Sequence, residues 1–340
     1  MKKAVVFLCL AFVFILSGCV FNANIDTYQD DVDMTPRQIS ISEQTPLVDV
    51  IEQVKGAVVG IMVVTSNGYS IGSGVAIRDG GYILTNHHVI ENSNSITVYL
   101  ADQTTTKAKL LWQDSAMDLA VIKSEKNLPY LVCSSRDVSV GEDVIAIGTP
   151  LSLDFKNTVT KGIISAKNRT VGVQNLGGYT TYMQNLIQHD ASINSGNSGG
   201  PLLSLNGEIL GINTLKASDA EGIGFAIPIS VGETVIENLS NDEDFSQGYL
   251  GIFAVDVDMA RFEDDSILQK SGAYVYAVDS KVSSSLKRGD IIVKINENEI
   301  NDALDFRLAM YKMKAKDKVI LQVLRNGEIV DIQCEALEKV

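Results

Sequence analysis

The sequence predicts an all-β body followed by a smaller α+β domain, and three observations carry that expectation. Between Ala57 and Ile227 about a dozen short β-branched segments follow one another with almost no helical periodicity. The chain has 27 Gly but only 6 Pro, as tight turns between strands require. After a polar break at Asn241–Gln247 the pattern changes to strands that accompany one clear helix.

At the N-terminus, Lys2 and Lys3 precede an apolar run from Ala4 to Leu16. The run is shorter than the ~20 residues of a bilayer span and suits the hydrophobic part of a signal peptide. Leu16-Ser17-Gly18-Cys19 resembles a bacterial lipobox, which implies removal of residues 1–18 and diacylation of Cys19. Residues 20–45 lack apolar periodicity, so 19–45 reads as a lipidated Cys and a flexible tether spanning about 28 Å.

The body is expected over 46–245. Pro46 opens a short helix that runs to Val54. Strands follow at Ala57–Val64, Ser73–Arg78, Tyr82–Thr85, Ser95–Leu100, Lys107–Gln113 and Leu119–Lys123. Others follow at Asp143–Ile147, Asn157–Ser165, Asn185–Gln188, Pro201–Leu203, Ile209–Thr214 and Gly224–Ile227. Asn67-Gly68, Asp79-Gly80-Gly81 and Asn206-Gly207 punctuate them as hairpin turns. So many short strands make a sandwich or a barrel. A helix over Ser230–Leu239 closes the body. The second domain, 246–340, carries strands at Tyr249–Val255, Tyr274–Ala277, Asp290–Ile295, Lys318–Arg325 and Ile329–Cys334, with a helix at Ala303–Met313.

Composition narrows the function. Hydrophobic content of 45% and charged content of 21% describe a globular chain. The net charge of −14 excludes the basic face of a nucleic-acid binder. Three His and four Cys are too few and too scattered for a metal site, and no cofactor is implied. Cys133 and Cys334 fall in different domains and read as free thiols.

The chemistry concentrates in Gly196-Asn197-Ser198-Gly199-Gly200-Pro201. A nucleophilic hydroxyl must protrude from a tight turn whose N–H groups converge on a developing oxyanion, and Gly permits that backbone. The oxyanion hole would be built from Gly196, Asn197 and Ser198, with the amides of Gly196 and Ser198 as the leading donors. A Ser needs a base, and the base needs a group that fixes its tautomer. Thr85-Asn86-His87-His88-Val89 ends one strand and Asp118-Leu119-Ala120-Val121 begins another. The order His, Asp, Ser on an all-β background is that of the chymotrypsin-type triad.

With these segments the chain resembles the HtrA/Deg family of trypsin-like serine proteases. Ala57–Ile61, Gly72–Val75, Thr85–Val89, Asp118–Lys123, Gly148–Pro150, Thr160–Ile163, Asp190–Pro201 and Gly224–Pro228 carry the likeness. The resemblance implies a double six-stranded β-barrel followed by a PDZ domain. It selects His88 over His87, Asp118 over Asp114, and Ser198 as nucleophile. It also places Ser192 at the base of the primary substrate pocket, with Ile193, Ile223, Phe225 and Ile227 as apolar walls. Without a carboxylate at that base, cleavage after small or medium aliphatic residues is expected. Asp190 is read as a structural hydrogen-bonding residue and His189 as a structural or surface one.

In the second domain, Tyr249-Leu250-Gly251-Ile252 matches a PDZ carboxylate-binding loop, with Leu250 and Ile252 lining the side-chain pocket. The segment Val278–Arg288 is shorter and more polar than the family's usual helix there. The resemblance implies a homotrimer as the basic unit, and the short Val64–Ser73 connection lacks the long insertion of some periplasmic members, which leaves assembly beyond a trimer open. The expected activity is endoproteolysis of unfolded or damaged extracytoplasmic proteins by an enzyme held to a bacterial membrane through Cys19. Its PDZ domain would bind peptide C-termini. The competing expectation is a PDZ-bearing chaperone or adaptor with a dormant protease fold. The polar segments Asn168–Tyr182 and Thr214–Gly222 are expected to be mobile.

Overall fold

The computed structural model describes residues 32–42, 45–66, 68–134, 136–149, 158–174, 180–194, 196–216, 222–241, 245–262, 264–279 and 285–338. The expected signal peptide, Cys19 and the first part of the tether lie outside the described residues. Val32–Val340 form one compact unit.

Two closed six-stranded antiparallel barrels make up the body. In the first, the strands run in the order Val58–Thr65, Gly68–Arg78, Tyr82–Thr85, Leu119–Ser124, Thr105–Asp114 and Ser95–Tyr99, and the last pairs with the first. In the second the order is Thr158–Gln174, Thr180–His189, Gly224–Pro228, Ile209–Lys216, Pro201–Ser204 and Asp143–Gly148. Closure pairs every strand on both sides and leaves no edge to aggregate. Ile61, Ile83, Ile122, Ile145, Ile147 and Ile164 are fully buried inside. A barrel interior needs small residues opposite large ones. At Gly74 a Cβ would stand 2.8 Å from both Ile61 and Ile83.

Helix Ile229–Asn241 leaves the second barrel and returns against the first, where a Cβ on Gly232 would strike Leu84 at 2.4 Å. Leu84, Val121, Ile147, Val235 and Leu239 belong to one continuous core. The short helix Leu47–Val54 follows Pro46 as expected.

Two expectations are corrected here. Residues 32–42 form an ordered arm, with Gln38–Ile39 pairing in parallel with Tyr130–Leu131 and Ile39 buried. Most of Asn168–Tyr182 is β-hairpin. Thr158–Gln174 is a 17-residue strand, and its far end pairs Val171 with Met183 and Gly172 with Tyr182. Alternating β-branched residues outweigh the local Gly and Asn.

The C-terminal part has its own core of Leu250, Val275, Ile292, Phe306, Leu321 and Ile332. Its sheet runs Ile252–Asp256, Ala273–Val278, Ile291–Ile295, Lys318–Arg325 and Glu328–Glu335 in spatial order, which leaves Ile252–Asp256 at an edge. Helix Ala303–Lys312 starts at Asp302, whose carboxylate accepts from the amide of Asp305 at 2.8 Å. The short helix Val257–Arg261 was not foreseen from the sequence. Cys133 and Cys334 are free thiols. Among the described residues no helix is long and apolar enough to cross a membrane.

Candidate active site

The cleft residues come from both barrels. His88 lies on a one-turn helix, His87–Ile90, that ends strand Tyr82–Thr85. Gly72 makes room for that helix: a Cβ there would sit 2.5 Å from Val89. Asp118 ends the turn after Thr105–Asp114 with a φ of 52°, a left-handed conformation uncommon outside glycine, though less so for Asp, that is favoured by restraint from its neighbours. Asn86 supplies part of that restraint, since its buried amide donates to the Asp118 carbonyl at 2.9 Å.

His88 and Asp118 meet directly. Nδ1 of His88 lies 2.9 and 2.8 Å from the two carboxylate oxygens, and the His88 backbone amide donates to Oδ1 at 3.0 Å. The hydroxyl of Thr214 completes the shell by donating to Oδ2 at 2.5 Å. The His88 side chain is 46% exposed, so its other ring edge faces the cleft. Burial pulls the imidazolium pKa down, but the hydrogen bond and charge of Asp118, with Glu91 behind them, outweigh it and hold the pKa above 6.5.

Ser198 sits on the tight turn of the second barrel. Its hydroxyl donates to the Thr214 carbonyl at 3.2 Å, and no hydrogen bond joins it to His88. Thr214 thus touches both Asp118 and Ser198. Sequence reasoning missed its role: it ended the strand Ile209–Thr214 at Thr214 and began a mobile segment there, whereas Thr214 is buried within strand Ile209–Lys216. Most of the rest of that segment lies outside the described residues.

The turn itself is clamped. Gly199 has φ 83°, and a Cβ there would stand 2.2 Å from the Ser73 carbonyl, so glycine is required. Ser73 gives its amide to the Ser198 carbonyl at 2.9 Å and its hydroxyl to the Gly196 carbonyl. Asn213 binds the carbonyls of Gly200 and Pro201 through its side chain, and its own carbonyl accepts from Gly199. Within the turn the Asn197 amide is spent on Asn194 at 3.0 Å, which removes Asn197 from the expected oxyanion donors. The amides of Gly196 and Ser198 have no backbone acceptor among the described residues. Gly196 has φ 113°, again a glycine conformation.

The expected substrate pocket is met only in part. Ser192 is exposed, and its carbonyl accepts from Asn197 and Thr160 at 3.2 and 3.0 Å. Ile193 packs under Gly224, with Ile223 partly buried beside it. Phe225 and Ile227 are buried in the barrel core. Asp190 accepts from the amide of Ile163 at 2.6 Å, a structural bond. His189 is wholly buried and neither ring nitrogen meets a hydrogen-bond partner. Desolvation lowers its pKa to about 4, against a weaker pull from Asp190.

A second concave site of about 540 Å³ opens between helix Ala303–Lys312 and edge strand Ile252–Asp256. Tyr249, Gly251 and Ile252 line it; Leu250 does not, being fully buried in the domain core. Gly251 turns the loop with φ 64°. The amides of Leu250 and Gly251 have no backbone acceptor among the described residues, a geometry suited to a carboxylate. The barrel body closes one side with Asp114, Ala116 and Tyr182. Among the described residues no cluster of side chains could hold a metal ion.

Two closed barrels with a His–Asp pair and a serine turn between them define a trypsin-like peptidase, here joined to a PDZ fold. Residues 72–212 match the trypsin-like peptidase domain model and residues 248–335 the PDZ domain model. The chain belongs to the HtrA family of serine proteases. It is 35% identical to the serine protease Do-like HtrB of Bacillus subtilis, over 90% of this chain and 73% of that one. It is 38% identical to a probable periplasmic DegP-like endoprotease of Pseudomonas putida, over 76% of this chain and 54% of the relative. The serine endoprotease from Yersinia pestis superposes with a TM-score of 0.61 at 32% identity, covering 88% of this chain and all of that one. The HtrA-type protease AlgW with tripeptide gives 0.65 at 32% identity, covering 87% and 98%.

Proposed function

We propose that the chain is an extracytoplasmic endopeptidase that cleaves unfolded or damaged proteins through an acyl-enzyme on Ser198. The observation that carries this reading is Thr214, which holds Asp118 by its hydroxyl and Ser198 by its carbonyl while Asp118 grips Nδ1 of His88. To react, Ser198 Oγ leaves the Thr214 carbonyl and gives its proton to Nε2 of His88. The oxygen attacks the scissile carbonyl, whose oxyanion is met by the amides of Gly196 and Ser198. His88 then protonates the leaving amine, and water releases the acyl group by the same steps in reverse role. Cleavage follows small or medium aliphatic residues beside Ile193 and Ile223.

The PDZ groove takes a peptide C-terminus: carboxylate at the loop 249–252, backbone along the edge strand 252–256. The name of the Pseudomonas relative supports a place outside the cytoplasm. A lipid anchor on Cys19 and a homotrimeric assembly complete the reading, on the motif at Leu16–Cys19 and on family likeness.

The test compares digestion of unfolded casein by the full chain and by Ser198→Ala. The wild type should release peptides with small aliphatic residues at the new C-termini while the variant releases none. Equal inertness of both, with and without added C-terminal peptides, would leave the chaperone or adaptor reading in place.

A further inference from the structure

We propose that Tyr311, on the helix that walls the PDZ groove, is a positioning residue for peptide hydrolysis in the barrel cleft. The inference rests on Asp118 being the triad acid.

Tyr311 is buried, and its hydroxyl donates to Oδ2 of Asp114 at 2.9 Å. The other oxygen of Asp114 accepts the amide of Ala116 at 2.8 Å and, more weakly, that of Met117 at 3.4 Å. Those bonds shape the turn that delivers Asp118. One end of the turn is pinned by Met117, which is fully buried, and the other by the Asp114 carboxylate. Asp118 emerges with a positive φ, and its carboxylate direction follows the course of the turn that delivers it. The run from Tyr311 to His88 is therefore continuous: phenol, Asp114, turn amides, Asp118, imidazole.

Tyr311 is itself fixed. The ring meets Trp112 edge-on at 5.5 Å, and the indole N–H of Trp112 donates to Gln247 at 2.7 Å. The side-chain amide of Asn238 donates to the Tyr311 carbonyl at 2.9 Å. Burial, and next the charge of Asp114, raise the phenol's pKa, so it remains a protonated donor throughout the working range. Removing the hydroxyl leaves the buried Asp114 carboxylate short of a donor. The carboxylate then shifts toward its remaining partners, and the turn moves with it. Shifts well under an ångström at a triad member are enough to slow catalysis.

The experiment uses the full chain with Tyr311→Phe, Asp114→Asn and the double variant. The readouts are kcat and KM on a peptide substrate as a function of pH, and the His88 ring titration by NMR. Tyr311→Phe should lower kcat about tenfold or more with KM little changed. It should also move the His88 titration from its raised value toward 6.5 as Asp118 retreats. Asp114→Asn should do the same from the barrel side, and the double variant should be no worse than the poorer single. Wild-type kcat and an unmoved His88 titration in Tyr311→Phe overturn the proposal. If Tyr311→Phe loses cooperative unfolding, Asp114→Asn decides alone by the same criteria. Asp118→Asn separates the two levels: if it too leaves rate and titration untouched, the triad assignment has failed and the positioning role falls with it.

Discussion

Thr214 gives its hydroxyl proton to Asp118 at 2.5 Å, across 96 residues of sequence. Asp118 is nearly buried, so each donor on its carboxylate counts. Thr214→Val keeps the branched shape that strand Ile209–Lys216 accepts and deletes only the donor. With one oxygen left to His88 alone, Asp118 holds the imidazole less firmly. We expect kcat to fall roughly tenfold, consistent with a lost hydrogen bond to a charged group at ~1.5–3 kcal/mol, with KM nearly constant. Thr214→Ser should restore most of the rate. Steady-state kinetics on one peptide suffice, and a Thr214→Val enzyme as fast as wild type removes Thr214 from the machinery.

The pH profile follows from His88. A protonated imidazole cannot accept the Ser198 proton, so activity is lost as pH falls through the ring's pKa. Because Asp118 and Glu91 outweigh burial and raise that pKa, the acid limb of kcat/KM should centre above 6.5. Asp118→Asn removes the hydrogen-bonded charge and should shift the limb downward while lowering the rate by orders of magnitude. A limb below 6.5 in the wild type contradicts the electrostatics of the pair.

Much of this site is legible because its parts are local in sequence. Gly196, Gly199 and Gly200 are dictated by the turn they make, His88 stands just past the end of one strand and Asp118 just before the start of another. A sandwich or barrel shows through short β-branched segments and their turn residues, and the double barrel only through the family resemblance. What was not legible is long-range. Thr214 reaches Asp118 only once the second barrel has folded against the first. Leu250 lies inside a motif read as a pocket, yet tertiary packing takes it into the core. The arm 32–42 looks polar and irregular, and pairing with a distant strand orders it, whereas the strands flanking residues 175–179 pair with each other.

Acid stability should depend on His189. The folded ring protonates near pH 4, whereas an unfolded His protonates near 6.5. Between those values the unfolded chain binds more protons, so stability falls as pH is lowered across the window. The full loss is roughly 3 kcal/mol. Denaturant unfolding at pH 7, 5.5 and 4.5 measures the slope. His189→Gln should flatten it. An equal slope in both proteins means that carboxylates elsewhere, not this ring, govern the acid response.

Gln184 bears on peptide binding at the groove. From strand Thr180–His189 its side-chain amide donates to the Ala254 carbonyl at 3.2 Å. Ala254 lies on the edge strand along which a C-terminal peptide would pair, two residues beyond Ile252. An incoming strand therefore competes with a side chain of the barrel for that acceptor. The competing bond is long at 3.2 Å, and Oε1 of Gln184 has no partner among the described residues. Displacing it costs about one net hydrogen bond, ~1 kcal/mol, equivalent to about fivefold in affinity. Gln184→Ala should bind a short peptide with an apolar C-terminal residue about fivefold more tightly than wild type in a calorimetric or fluorescence titration. If the loop at Tyr249–Ile252 holds the carboxylate as proposed, the C-terminally amidated peptide should bind neither protein. Equal affinities in the two proteins mean that the bound peptide never reaches Ala254. If neither protein binds the free-acid peptide, the groove does not serve C-termini at all.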